Sequence, residues 1–244
     1  MIRDWIAPDW DAPDNVHALM TTRTGGGSRP PYHGFNLAGH VGDDPRCVAA
    51  NRRQLRSMLP AEPLWLTQVH GTRVIEAGQA GANLEADACV AHHPGQVCLV
   101  LSADCLPVLL CDAEGTVVAA AHAGWRGLAA GVLEQTVAAM AVLPARLMAW
   151  FGPLITQPSF EVGAEVREIF CVHNSHAAAA FVPSTRGKLL CDLTILARQR
   201  LADAGVTRVF GGDLSTYADP ARFYSYRRDG GNTGRMAALI WLEA

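Results

Sequence analysis

Between residues 97 and 122 the chain is almost continuously apolar, yet its strand-like runs stop on polar side chains. VCLVLSAD (97–104), LPVLLCD (106–112) and TVVAAAH (116–122) are three short runs rich in aliphatic residues. Strands covered on both faces read as unbroken apolar runs of this kind, whereas strands with one wet face alternate. The three runs therefore predict strands buried on both faces. The stretch 97–121 is the most apolar in the chain, but Asp104, Asp112 and Glu114 interrupt it, so it does not read as a membrane span.

Helical signals flank these runs. A helix is expected at about 45–58, with Pro45 in its first turn. GLAAGVLEQTVAAMAVL (127–143) is Ala/Leu-rich and reads as one helix, and another is expected near 163–172. A further helix over about 193–204 opens on Asp192 as N-cap and ends at Gly205. LWLTQVHGTRVIEA (64–77) reads as extended chain around Gly71, and TGGGSRPPYHG (24–34) is the clearest loop. The tail 223–242 reads as two strands joined by a DGGNTG turn. Strands and helices thus alternate as in an α/β protein. No repeat or linker divides residues 1–244, so one domain is expected.

Bulk chemistry excludes some functions. Half of the 244 residues are hydrophobic, which is enough for a large core, and the net charge of −3 gives no basic stripe for nucleic acid. Acids and a proline stand in MIRDWIAPDW where a signal peptide needs an apolar run. The seven cysteines form no even framework and no CxxC pair, so reduced thiols and a cytoplasmic location are expected.

Three segments place metal-capable side chains at expected strand ends: QVHG with His70, ADC with Cys105 and HAGWRG with His122. Functional groups of α/β folds gather at such ends. Two imidazoles and a thiolate would bind zinc, or copper, and leave a fourth position open. Each residue alone has a plainer reading. A cysteine in an apolar run is commonly a small core residue, and a histidine near a turn commonly makes an ordinary hydrogen bond. The spacing matches no standard finger: His70 lies 35 residues before Cys105, and His122 lies 17 after it. Asp104 stands in a greasy stretch, where a buried carboxylate is costly, so it needs a partner or a purpose. It is a candidate acid/base, or else a residue that orients a ligand or a turn. The small residues around Trp125 and Arg126 lead into a helix, whose free N–H groups could receive an anion. Equally, the glycines there could serve only a tight turn.

A wider set of segments resembles one family. NLAGHVGDDP (36–45), NRRQL (51–55), LTQVHGTRV (66–74), EADA (85–88), SADCLPVLL (102–110), AAAHAGWRGLAAGV (119–132), FEVGAEV (160–166), CDL (191–193) and FYSYRRDGGNTGRMAALI (223–240) follow the order of the YfiH or laccase-domain family. Its members are described as purine nucleoside phosphorylases and formerly as polyphenol oxidases. The resemblance implies a layered α/β/β/α fold with mixed β-sheets, and it makes His70, Cys105 and His122 the metal ligands. It also implies phosphorolysis of adenosine, inosine, guanosine and methylthioadenosine, with adenosine deamination as a second activity. Nucleoside and phosphate would be the partners.

Two departures stand out. GPLITQPSFEVG carries no cysteine where relatives often do, and Ser215 stands in a slot where many carry Cys. For the anion, Arg52 and Arg126 are the first candidates, with Arg23, Arg227, Arg228 and Arg235 behind them. Each alone is more commonly a surface arginine. His40 and Gln68, and less firmly Asn36, are candidate substrate contacts. Copper oxidase chemistry and a thiol hydrolase that edits cell-wall peptide-sugar precursors, with Cys105 as nucleophile and His122 as base, remain the other enzymatic readings. A metal-stabilised binding module is the non-enzymatic one.

Overall fold

Successive residues of the apolar runs face two different cores, and this sets the architecture. The computed structural model describes residues 4–78 and 84–243. In chain order its elements are β1 (Val16–Met20), α1 (Pro45–Arg56), β2 (Val74–Glu76), β3 (Ala88–Ala91), β4 (Val97–Ser102), β5 (Leu106–Asp112), β6 (Val118–Ala123), α2 (Trp125–Ala130), α3 (Val132–Ala139), β7 (Leu147–Phe151), β8 (Glu161–Val162), α4 (Ala164–His173), β9 (Phe181–Pro183), β10 (Leu189–Cys191), α5 (Leu193–Asp203), β11 (Arg208–Gly211) and β12 (Met236–Leu242).

A six-stranded sheet in the order β11-β7-β5-β6-β3-β2 is mixed: β11 with β7 and β3 with β2 are parallel, and the other pairs are antiparallel. A second sheet, β1-β12-β4, is antiparallel throughout. Strand β8 joins β10 and β9 in a small third sheet. In β5, Leu106, Val108 and Leu110 pack with Leu128, Leu133 and Leu196 of the helices, while Leu109 and Cys111 face the three-stranded sheet. In β4, Cys98 and Val100 face the six-stranded sheet, while Val97, Leu99 and Leu101 pack with Leu55 of α1. Two-residue alternation therefore puts apolar side chains on both sides of each strand. The layers run α1, three-stranded sheet, six-stranded sheet, α2 to α5, which is the expected α/β/β/α arrangement with mixed sheets.

The helix starts follow their caps. The Asp44 side chain accepts from Arg46 N–H and Pro45 opens α1, while the Asp192 side chain accepts from Thr194 and Ile195 N–H at the start of α5. Two sequence expectations need correction. The single helix over 127–143 is two: Gly131, at φ 102°, breaks the run, α2 begins at Trp125 and α3 ends at Ala139. The tail holds only one strand, β12, which pairs with β1 and β4 rather than with a neighbour in sequence. Residues 223–235 are instead a series of turns held by side chains. Arg228 donates to the Thr216 and Phe223 carbonyls, and Thr233 donates to the Asp229 carboxylate.

Candidate metal centre

The hinge between β4 and β5 and the end of β6 bring two of the expected ligands together. Cys105 directly precedes β5, and His122 lies in β6 opposite Pro107. His70 reaches the same point from the loop ahead of β2. The ligand atoms of His70, Cys105 and His122 all lie within 4.8 Å of one another. Cys105 Sγ is 3.7 Å from His70 Nε2, and the two imidazole rings meet edge to face at 4.9 Å. Two ligands on one tetrahedral zinc sit roughly 3.5 Å apart, so this donor set fits such an ion. Among the described residues no further His, Cys, Asp or Glu joins the group. His122 is buried and His70 is exposed, which leaves the open side toward solvent.

Asp87, which the sequence reading passed over, organises this corner. Its carboxylate is fully buried and accepts from Val69 N–H (3.1 Å), His70 N–H (2.9 Å), Gly71 N–H (2.7 Å) and His122 Nδ1–H (2.8 Å). Its carbonyl also accepts from His122 N–H at 2.7 Å. Burial raises its pKa, but the His122 and Gly71 hydrogen bonds outweigh that and hold it below the ordinary carboxylate value. An ionised carboxylate only accepts, so Nδ1 of His122 carries a proton and Nε2 is the nitrogen that would bind a metal. A carboxylate placed among small residues just ahead of an apolar strand was the one signal in EADA.

Backbone strain is concentrated here. Among the described residues, His70 (φ 59°), Asp104 (φ 92°) and Ala141 (φ 55°) are the non-glycine positions in the left-handed region. The first is itself a candidate ligand and the second directly precedes Cys105, and such conformations persist only where surrounding contacts enforce them. Asp104 is held through its carboxylate: Oδ1 accepts from Thr216 Oγ1–H (2.6 Å), and Oδ2 accepts from Ser225 Oγ–H (3.0 Å) and Arg227 N–H (2.7 Å). Both oxygens are engaged: Ser225 and Arg227 lie around the turn that carries Tyr226, and Thr216 lies in the turn after Ser215. Helix α2 approaches the QVHG loop closely through Gly127, where a Cβ would lie 2.9 Å from the Gly71 carbonyl.

Charge favours a thiolate. Burial raises the Cys105 pKa, but the charge and hydrogen bond of His122, with those of His70, overcome it and bring the thiol down to about 6. Burial likewise lowers the His122 pKa, and the Cys105 charge and the Asp87 hydrogen bond reverse this and raise it to about 9.

The triad opens into a cavity of about 420 Å³. Its walls include Trp125, Phe160 and Tyr226 and also Arg126, Arg227 and Arg235, of which Arg227 donates to the Glu161 carbonyl and Arg235 to the Thr233 and Gly234 carbonyls. His40, Gln68 and Asp104 also line it. Gln68 is committed to the backbone of β4: its amide donates to the Leu101 carbonyl and accepts from Leu101 N–H. Burial, then the charges of Arg235 and Arg52, push the His40 pKa below its ordinary value, which favours the neutral ring. Arg52 is not among the lining residues. Its Nε donates to the Leu37 carbonyl, and its guanidinium lies 3.7 Å from the centre of the Trp65 ring. Arg23 and Arg228 are likewise bonded to backbone carbonyls away from the cavity. Asn36 is buried and accepts from Arg235 N–H, so it acts on the cavity wall rather than lining it. Ser215 accepts from Thr156 Oγ1–H.

Fold and site define an α/β/β/α protein with a His/Cys/His corner at the ends of its central strands. The family described as multi-copper polyphenol oxidoreductase laccase matches residues 17–243. The chain belongs to that family, as its resemblance to YfiH proteins implied. A Pseudomonas aeruginosa protein named purine nucleoside phosphorylase is 52% identical over 240 residues, covering 98% of each chain. The Escherichia coli purine nucleoside phosphorylase YfiH is also 52% identical over 240 residues, 97% of this chain and 98% of its own. A crystal structure of a Neisseria meningitidis protein superposes with a TM-score of 0.94 at 47% identity, covering 99% of this chain and all of that one. Among the described residues no helix is long and apolar enough to cross a membrane.

Proposed function

We propose that this chain is a zinc-dependent purine nucleoside phosphorylase, acting on adenosine, inosine, guanosine and methylthioadenosine. The observation that carries the reading is one cavity that joins the ligand triad to Arg126, Arg227 and Arg235. Its volume suits a nucleoside, and relatives about half identical to this chain bear that name. Residues 1–244 would act as one catalytic domain. Seven unpaired thiols fit a cytoplasmic location.

Phosphorolysis forms a bond from a phosphate oxygen to C1′ of the sugar and breaks the bond from C1′ to the purine. The arginines would hold and orient the phosphate through their forked donors. Trp125, Phe160 and Tyr226, with Leu101, Ile155 and Leu193, would clasp the apolar faces of the nucleoside and exclude water. His70, Cys105 and His122 would hold zinc, which their thiolate favours over harder ions. Bound there, the ion supplies Lewis acidity toward a substrate heteroatom. Deamination of adenosine would use the same cavity.

The test is release of free base from inosine and adenosine by the purified protein with and without phosphate. Release that does not depend on phosphate for any of the four nucleosides rejects the reading. Cys105→Ala is expected to lose zinc and activity together, and full zinc retention would reject the ligand assignment.

Two other readings draw on particular observations. The His/Cys/His donor set resembles that of a blue-copper site. A multi-copper oxidase needs several such ligand groups, and the described residues hold one. Oxygen uptake with a polyphenol by copper-loaded protein would favour the oxidase. The lowered thiol pKa of Cys105 beside His122 also suits a nucleophile and its base, as in a hydrolase of peptide-sugar precursors. Alkylation by iodoacetamide that zinc does not suppress would favour that reading.

A further inference from the structure

The three candidate ligands come from segments with no common secondary structure, and one side chain ties two of them together. Every donor to the Asp87 carboxylate belongs to His70, to its two chain neighbours or to His122. Successive backbone N–H groups of residues 69–71 converge on it as an anion-binding nest, and the protein fills that nest with its own acid. The arrangement holds His70 at φ 59°, a conformation an isolated histidine rarely adopts. The remaining bond fixes the second imidazole, since Nδ1–H of His122 points at Asp87 and Nε2 at Cys105.

Resting on the zinc reading above, we infer that Asp87 is the positioning residue of the metal site: it sets the angle of the His70 loop and the tautomer and donor strength of His122. A purely structural carboxylate would draw donors from segments unrelated to the ligands. Burying one is costly without full satisfaction, and here the satisfaction comes from the site itself. A carboxylate behind a ligating imidazole increases its basicity, and loss of such a partner typically costs about 10–100-fold in metal affinity.

The test uses the full chain with Asp87→Asn, which keeps the shape but puts an amide where an acceptor is required. Zinc affinity is measured by chelator competition, and the cobalt-loaded protein is read by its thiolate-to-metal absorption. The expected result is a folded variant about 10–100-fold weaker for zinc, with a shifted cobalt band that still shows sulfur ligation. The KM for nucleoside and phosphate should move less than kcat. Zinc affinity within twofold of the parent together with an unchanged cobalt spectrum overturns the inference. If Asp87→Asn fails to fold, nitrogen NMR of the histidine rings in the zinc-loaded parent decides. A metal on Nε2 of His122 with a proton on Nδ1 supports the inference, and a metal on Nδ1 overturns it. A parent chain that binds no zinc rejects the metal reading instead, so the two failures are distinguishable.

Discussion

Gly124 faces the His70 ring so closely that a Cβ at that position would lie 2.7 Å from His70 Cδ2, and 3.1 Å from Cys105 Sγ. The Gly124 backbone, at φ −61° and ψ 152°, is open to any residue, so the glycine is required by its neighbours and not by its own conformation. Gly124→Ala is therefore expected to fold with little change in melting temperature and to bind zinc at least about tenfold more weakly, because the ligands must shift. Metal content after dialysis checks this, and full zinc retention would contradict it.

The Cys105–His122 pair predicts how metal binding responds to pH. With its pKa lowered to about 6, Cys105 in chelator-stripped protein is a thiolate at neutral pH, and His122, raised to about 9, is charged. Alkylation by iodoacetamide should have its midpoint near pH 6 instead of near the usual ~8.5. Metal binding must displace the His122 proton. That proton contributes about a tenfold gain in zinc affinity per pH unit from about 6 to about 9, and nothing above. Calorimetry in buffers of different ionisation enthalpy counts the released proton, and none released at pH 7.5 would contradict the pairing.

The arginines divide by location. Arg126 and Arg235 line the cavity, so Arg126→Ala and Arg235→Ala should each raise the phosphate KM about tenfold or more, in line with a lost charge-assisted hydrogen bond. Arg52 stacks on Trp65 outside the lining, so Arg52→Ala should mainly lower stability, by about 1 kcal/mol. Steady-state kinetics with varied phosphate, beside thermal melts, separates these outcomes.

Asp104 offers a choice between two roles. Its carboxylate oxygens are engaged by Thr216, Ser225 and Arg227, as suits a residue that holds the Tyr226–Arg227 turn. An asparagine can keep the Arg227 bond with its oxygen and donate to the Thr216 hydroxyl with its amide. Asp104→Asn is thus expected to retain most activity and the shape of the pH–rate profile. Asp104→Ala, which strands buried donors at about 1–3 kcal/mol each, should lose about tenfold or more in kcat/KM. Equal loss in both variants, with one limb of the profile missing, would make Asp104 the acid/base instead.

Strands β4, β5 and β6, which fall in two facing sheets, were legible because they are buried along their whole length, and a fully apolar run admits few other fates. Helix α5 was legible because Asp192 caps it locally. What escaped depended on distant partners. Strand β1 is only partly buried between Val16 and Met20, so its pairing with β12 left no pattern to read. Gly131 sits within a good helical composition, and nothing local announces that its φ is positive. The ligand triad rested on family likeness, since residues 70, 105 and 122 share no helical or strand period. Asp87 was invisible for the same reason: its partners are 16 to 35 residues away.

The bonds that Asp87 makes also bear on how this protein relates to its ion over time. They hold the QVHG loop and His122 in place by themselves, whatever the triad carries. A zinc finger collapses when stripped, because the metal is its only organiser. Here the corner is prebuilt, so the ion is a passenger and not a keystone. If the triad takes zinc as proposed, stripping and reloading would be local events, and catalytic output would follow the supply of metal without any round of unfolding and repair.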